Sequence, residues 1–226
     1  MKIKALIWDF DGLIIDTEGA IFQSWQELYQ FYGCQLPLER WLETIGTTEA
    51  SFDPADELER QLGRQLDWDK IEPNRAQREA EFINKLSPLP GVEDMLHTAK
   101  AYGLKIGLAS CSPCSWVAGN LTRLGLIEYF DCLITSEDVS HSKPDPEVFQ
   151  AALAALGLKP DQAVVFEDSL NGVLAAKRAG LFTIAVPCAL TCHLAFDKAD
   201  LRLDSLAEMS FEELLDSIEQ QPENMH

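Results

Sequence analysis

Three observations predict an α/β architecture, a doubly wound parallel sheet of Rossmann-like form interrupted by an all-helical insert. Short apolar runs suited to buried parallel strands recur along the chain, at 3–8, 104–109, 131–135, 163–166 and 181–186. From residue 91 onward these runs alternate with helical periodicities that stop at Gly103, Gly125, Gly157 and Gly180. Between residues 18 and 88 the periodicity is helical with almost no strand signal, far more chain than one crossover helix needs. The expected division is a core of residues 1–16 and 88–226 and a helical cap of residues 17–87.

Taken in order, Ile3–Trp8 is an apolar run that ends in Asp9-Phe10-Asp11-Gly12. Thr17 reads as the N-cap of a helix over 18–32, because Ile21, Phe22, Trp25, Leu28, Tyr29 and Tyr32 form one apolar stripe and Gly33 follows. Shorter helices are expected over 38–45 and 54–66. A charge-rich helix is expected over 70–86, with Pro73 in its first turn. The turn cluster Ser87-Pro88-Leu89-Pro90-Gly91 closes the insert. Helices over 91–102, 114–124, 147–156 and 170–179 then alternate with the strands already named. A short strand near 199–203, a helix over 210–219 and a frayed tail from Gln220 to His226 complete the reading.

Composition narrows the partners. The 226 residues are 46% hydrophobic and 24% charged, an ordinary globular composition. The formal net charge of −19 argues against nucleic acid or an anionic membrane surface as a partner. With no apolar run long enough to span a bilayer and six cysteines that do not form a secreted framework, a cytoplasmic protein is expected; a monomer or weak dimer is the accompanying expectation, which these features do not themselves give. An anionic substrate would need a metal or local basic groups to reverse the field at its site.

Chemistry-bearing residues fall at the ends of the predicted strands: Asp9 and Asp11, Ser110, Lys143, and Glu167 with Asp168. On an extended segment Asp9 and Asp11 would point to one side, and Gly12 would turn the backbone away. That edge is where open α/β sheets bind ligands. Crowded carboxylates repel unless they share a hard cation, and oxygen-only ligands suit Mg²⁺. Ser110, Lys143 and the N–H groups after Gly12 and Ser110 would suit an anion's oxygens. Together they describe a phosphoryl-transfer site, in which one Asp attacks phosphorus while the other protonates the leaving oxygen and later activates water.

The stretches DFDGLIIDTE, LASCS, SKPDP and FEDSLNGVLAAKRAG resemble, in order, the four motifs of the haloacid dehalogenase superfamily. The helical insert after the first motif is similar to its β-phosphoglucomutase-like and sugar-phosphatase branch. The resemblance implies Asp9 as nucleophile through an aspartyl-phosphate and Asp11 as general acid/base. It implies Mg²⁺ held by Asp9, Asp11 (through its carbonyl), Asp168 and Glu167, and a phosphoryl group held by Ser110, Cys111 and Lys143. Gly12 and Asn171 are lesser candidates; Gly12 would shape its loop, and Asn171 would equally serve as a cap for helix 170–179.

Departures from the branch narrow the reaction. Dehalogenases of the superfamily lack the second acid of the first motif, and Asp11 is present here. The mutases resembled carry a His in the first cap helix, absent from Glu18–Phe22, and a Lys soon after the motif-II Ser, absent from Ser110–Cys114. Phosphonatase relatives use a cap Lys that the first cap helix lacks. A phosphatase of a small phosphorylated metabolite, a sugar phosphate in this branch, is therefore expected. A phosphomutase and a non-catalytic binding protein on the same fold are the alternatives. In the cap, Gly46 and Thr47 are expected to face the site, with Arg40 or Arg75 meeting the substrate's remote end. Cys111-x-x-Cys114 reads as an incidental pair within the second motif.

Overall fold

The computed structural model describes residues 3–48 and 52–220; the tail expected from 220 onward lies, beyond Gln220, outside them. Six strands form one parallel sheet in the order β3-β2-β1-β4-β5-β6. They are β1 (Ala5–Trp8), β2 (Lys105–Ala109), β3 (Cys132–Ile134), β4 (Ala163–Glu167), β5 (Phe182–Ala185) and β6 (Leu201–Arg202). Each predicted strand is present, shortened by up to three residues at its ends except β4, which runs one residue further. A parallel sheet needs helices on both faces, and side-chain alternation along β1 shows where they lie. Leu6 and Trp8 join Met95, Leu96, Val117, Leu121 and Leu214 in one core. Ala5 and Ile7 join Phe149, Ala152, Ala175 and Ala176 in the other. The first face is covered by α5 (Val92–Ala101), α6 (Cys114–Arg123) and α9 (Phe211–Gln220), the second by α7 (Glu147–Leu156) and α8 (Leu170–Arg178).

Between β1 and α5 the chain forms α1 (Thr17–Phe31), α2 (Leu38–Leu42), α3 (Pro54–Leu62) and α4 (Trp68–Ile83), and no strand among the described residues. This segment has an apolar centre of its own, Trp41, Ile45 and Phe52 with Ile21, Phe22 and Trp25 against it. Tyr29 is fully buried and donates its hydroxyl to the Pro54 carbonyl at 2.6 Å, tying α1 to α3. The segment leaves and re-enters the sheet side by side, since Leu89 N–H bonds the Ile14 carbonyl at 2.8 Å.

Three local expectations are corrected. Asp16, not Thr17, caps α1: its carboxylate accepts from Gly19 N–H, which frees the Thr17 hydroxyl for the site. Pro73 lies inside α4 rather than in its first turn. The helix starts earlier than its own periodicity suggests, because the Trp68 indole and the Leu66 N–H both bond Glu59 of α3. Ser169, not Asn171, caps α8, accepting from Gly172 N–H. No helix among the described residues is long and apolar enough to cross a membrane.

Candidate active site

The sheet register places Trp8 beside Leu108 and Phe166. The residues that follow β1, β2 and β4 therefore emerge together at one edge. Asp9, Ser110, Lys143, Glu167 and Asp168 are all at most 5% exposed there. Lys143 comes from the loop after β3. Its ammonium bonds the Glu167 carboxylate at 2.7 Å, the Ala109 carbonyl at 3.0 Å and Oδ1 of Asp9. The second Glu167 oxygen accepts from both N–H and hydroxyl of Ser169 at 2.9 Å. Asp168 is different: both of its carboxylate oxygens are buried with no hydrogen-bond partner. Its carboxylate occupies the space above Gly12. A Cβ there would lie 2.0 Å from Oδ2, and the backbone φ of +80° already favours glycine.

Oxygens of Asp9, Glu167 and Asp168 converge within 4.8 Å of one another. Burial raises the Asp9 carboxyl to about 7 against the pull of the Lys143 ammonium. Burial, then Cys188 and the neighbouring Glu167 and Asp9, holds Asp168 well above the usual carboxylate range. For Lys143 burial alone would lower the pKa; the two carboxylates outweigh it and the ammonium is favoured. Three carboxylates against one ammonium leave two formal negative charges in a dry site, the complement of one divalent cation.

Asp11 faces elsewhere. Its Oδ1 accepts from the Thr17 hydroxyl at 2.7 Å and the Trp116 indole at 3.0 Å, and its Oδ2 from the Ser112 hydroxyl at 2.6 Å. Asp9 and Asp11 line the same cavity of about 130 Å³, but the Asp11 carboxylate is outside the convergent three. The chain has already left the strand: Gly12 N–H bonds the Ile15 carbonyl and Ile14 N–H the Phe10 carbonyl, each at 2.9 Å. Those amides close the turn, so the anion-binding N–H set expected after Gly12 is consumed. Ser112 N–H is likewise taken by the Ser110 hydroxyl at 3.0 Å.

The family model for haloacid dehalogenase-like hydrolases matches residues 6–186. The chain belongs to that family. This haloacid dehalogenase-like hydrolase is 44% identical to YhcW of Bacillus subtilis (strain 168), over 97% of this chain and 99% of the relative. It is 30% identical to the phosphorylated carbohydrates phosphatase of Thermotoga maritima, over 96% and 99%. Among solved structures it resembles CbbY from Rhodobacter sphaeroides in complex with phosphate, with 29% identity, a TM-score of 0.71 and coverage of 91% and 96%.

Across the cavity of the hydrolase stands the turn after α2. Gly46 approaches so closely that a Cβ would fall 2.1 Å from the Ser169 hydroxyl, and its φ is +76°. Asn171 donates to the Ile45 carbonyl at 3.0 Å, and Ser142 accepts from Thr48 N–H at 3.0 Å. Thr47 lies 3.4 Å from the same hydroxyl. Cys111 lines the cavity, but its sulfur accepts from Ser142 at 3.1 Å and reaches the Gly46 carbonyl at 3.8 Å, joining the two walls. Glu18 in the first turn of α1 also faces in. Burial and the neighbouring Asp11 and Asp9 hold its carboxyl well above the usual range.

Arg40 and Arg75 do not line this cavity. Arg40 is paired with Glu43 at 3.0 Å and stands 5.4 Å over the Phe52 ring. Arg75 bridges α1 and α4, bonding Glu72 at 2.6 Å and Ser24 at 3.0 Å and lying over Trp25. Their acidic partners at three and four residues' distance were readable as helical pairs. Sequence reasoning passed over Thr17, Ser112, Trp116, Ser169 and Glu18. A hollow of about 440 Å³ between α5 and α9 is roomier, but its described lining carries four acids and no basic residue, and those acids are not among the carboxylates that converge in the described residues.

Proposed function

We propose that this chain is a Mg²⁺-dependent phosphatase acting on a small phosphorylated metabolite, a monophosphate whose remote end is uncharged and hydroxylated, as in a sugar phosphate. The observation that carries the reading is the convergence of Asp9, Glu167 and Asp168 around Lys143, with both Asp168 oxygens buried and unsatisfied. Unpaired buried carboxylate oxygens are costly, and an all-oxygen donor set of this charge fits Mg²⁺. Asp9, Asp168 and Glu167 would hold the ion. When bound, it supplies positive charge opposite the phosphoryl oxygens.

Lys143 fixes Oδ1 of Asp9 and leaves Oδ2 to attack phosphorus. The P–O bond to the leaving group breaks as Asp11 gives that oxygen a proton. Water then attacks the aspartyl-phosphate, Asp11 takes the water's proton, and Asp9 is regenerated. The three N–H bonds of Lys143 are already committed, so contact with a phosphoryl oxygen requires it to exchange one partner. Ser110 is the other phosphoryl contact in this reading.

Size and lining support the substrate class. The cavity of about 130 Å³ adjoins a hollow of about 90 Å³ through Thr48 and Cys111. That is less than the roughly 300–1,000 Å³ of sites for drug-sized ligands. Beyond Lys143 no basic residue lines the first cavity among the described residues; apart from Asp9 and Asp11 the lining is hydroxyls, Gly46, Cys111, Ile21, Trp116 and Glu18. Nothing there would hold a second phosphate, which favours hydrolysis over migration of the phosphoryl group. Residues 17–87 act in this reading as a cap whose closure excludes bulk water.

The test is phosphate release from a panel of sugar and polyol phosphates with Mg²⁺ and with EDTA. Metal-dependent release that disappears in Asp9→Asn, with folding retained, is the expected result. Isomerisation of one sugar phosphate without release would replace this reading with the mutase; turnover by Asp9→Asn would remove the nucleophile.

A further inference from the structure

We propose that Trp116 is the positioning residue of the general acid, fixing which oxygen of Asp11 delivers the proton. The inference rests on the phosphatase reading above and adds a role for a side chain outside the four motif acids and their lysine. Trp116 is the third residue of α6; its ring is half-buried against the core and lines the reaction cavity. Its indole N–H points at Asp11 Oδ1 from 3.0 Å.

Three donors meet the Asp11 carboxylate, and they are not equivalent. The hydroxyls of Thr17 and Ser112 can each donate or accept, so they can follow a change in the protonation of their partner. An indole N–H only donates. Whatever Asp11 carries, Oδ1 must present a lone pair to Trp116, and the proton belongs on Oδ2. Ser112, the partner of Oδ2, can turn to accept or step aside. In the first step Asp9 forms its bond to phosphorus and the electron pair of the breaking P–O bond goes to the leaving oxygen. The proton on Asp11 Oδ2 passes to that oxygen, and an Asp11 carboxylate remains. Thr17 belongs to the first turn of α1, whereas Ser112 and Trp116 follow β2. The indole therefore holds Oδ1 from the same side of the site that carries Asp9 and Ser110, independently of α1.

The contact predicts a dependence on leaving group that simple loss of packing does not. For an alkyl phosphate, departure requires protonation; for p-nitrophenyl phosphate, the phenolate leaves without it. The kcat/KM ratio reports only steps up to formation of the aspartyl-phosphate, so it isolates this proton transfer. The experiment measures kcat/KM on p-nitrophenyl phosphate and on the best alkyl substrate of the panel, for the wild type, Asp11→Asn and Trp116→Phe, with melting temperatures alongside. Asp11→Asn is expected to lose about 10²–10⁴-fold on the alkyl phosphate and far less on the aryl one. Trp116→Phe keeps the ring and removes the N–H. Its loss on the alkyl phosphate is expected to be about tenfold greater than on the aryl phosphate.

If Asp11→Asn discriminates between the substrates and Trp116→Phe does not, the positioning role is overturned and the phosphatase reading stands. If Asp11→Asn does not discriminate, Asp11 is not the acid and the positioning role falls with that assignment, whereas the phosphatase reading falls only with the absence of metal-dependent phosphate release. A second readout needs no folded Trp116 variant. In ¹⁵N-labelled protein the Trp116 indole N–H resonance is expected to move upfield in Asp11→Ala, and an unmoved resonance would overturn the contact.

Discussion

Replacing Gly172 by alanine sets helix propensity against the buried acid beneath it. Gly172 is the third residue of α8, and in a helix interior Gly→Ala ordinarily stabilises by about 1 kcal/mol. Here the new Cβ would stand 1.7 Å from Oε1, 1.9 Å from Cδ and 2.3 Å from Oε2 of Glu167. All three lie inside any tolerable contact, so the whole carboxylate must move. Glu167 is fully buried, and moving it strains its bonds to Lys143 and to Ser169. Disrupting a buried ion pair costs about 3–5 kcal/mol. Subtracting the propensity gain leaves a net loss of about 2–4 kcal/mol, a fall of about 4–16 °C in melting temperature for a chain of this length. Gly119 in α6 is the control, because nothing lies within 4 Å of an added Cβ there. Gly119→Ala is expected to raise stability by about 0.5–1 kcal/mol. Urea and thermal unfolding of both variants provide the assay. A Gly172→Ala protein as stable as the wild type would refute the packing argument, since Glu167 would then have somewhere else to go.

Further outcomes follow from the same geometry. Lys143→Met strands Asp9 and Glu167 without their ammonium and should cost about 3–5 kcal/mol in urea unfolding, together with turnover; a loss below about 1 kcal/mol would mean that the pair is solvated in solution. The Asp9 carboxyl is raised from 3.8 to about 7, so in EDTA the folded state retains a proton that the unfolded chain has shed. That contribution is full below about pH 4 and is lost as pH rises to about 7. Melting temperature in EDTA should therefore fall between about pH 4 and 7, while the increment from added Mg²⁺ grows; an increment independent of pH would contradict the proposed ligand set. Arg40→Ala should leave KM for the best substrate unchanged and alter stability by no more than about 0.5 kcal/mol, as its contacts are an exposed pair and a ring. A severalfold rise in KM would place Arg40 at the substrate after all.

The core was legible because each of its units carries its own punctuation. α7 begins and ends where its apolar stripe and Gly157 require, and the strands needed only trimming where pairing runs out. The helical segment was harder, for a physical reason. The start of α4 is set by Glu59 of another helix reaching Trp68 and Leu66, and nothing in the periodicity of residues 70–86 contains that contact. The site divides in the same way. Asp9, Glu167 and Asp168 fall at strand ends and Lys143 in the loop that follows β3, so the order of the strands was enough to bring them to one edge. The donors on Asp11 come from two separate stretches of the chain, Thr17 after β1 and Ser112 with Trp116 after β2, and only the fold makes them neighbours. Asp11 itself shows the limit of a strand argument, because the alternation that would align it with Asp9 ends at Trp8.

The bond between Leu89 and Ile14 bears on how such a protein changes over evolutionary time. Because the two connecting stretches are already clasped, the sheet meets the helical segment as it would meet a tight hairpin. The entropy of closing that loop grows only slowly with length, so helices can be added, removed or exchanged beyond the clasp at little cost to the sheet below. The acids and the lysine stay in register while the wall opposite them is rewritten. Diversity of substrate within one architecture then requires no reinvention of the chemistry, only a new tenant above the same doorway.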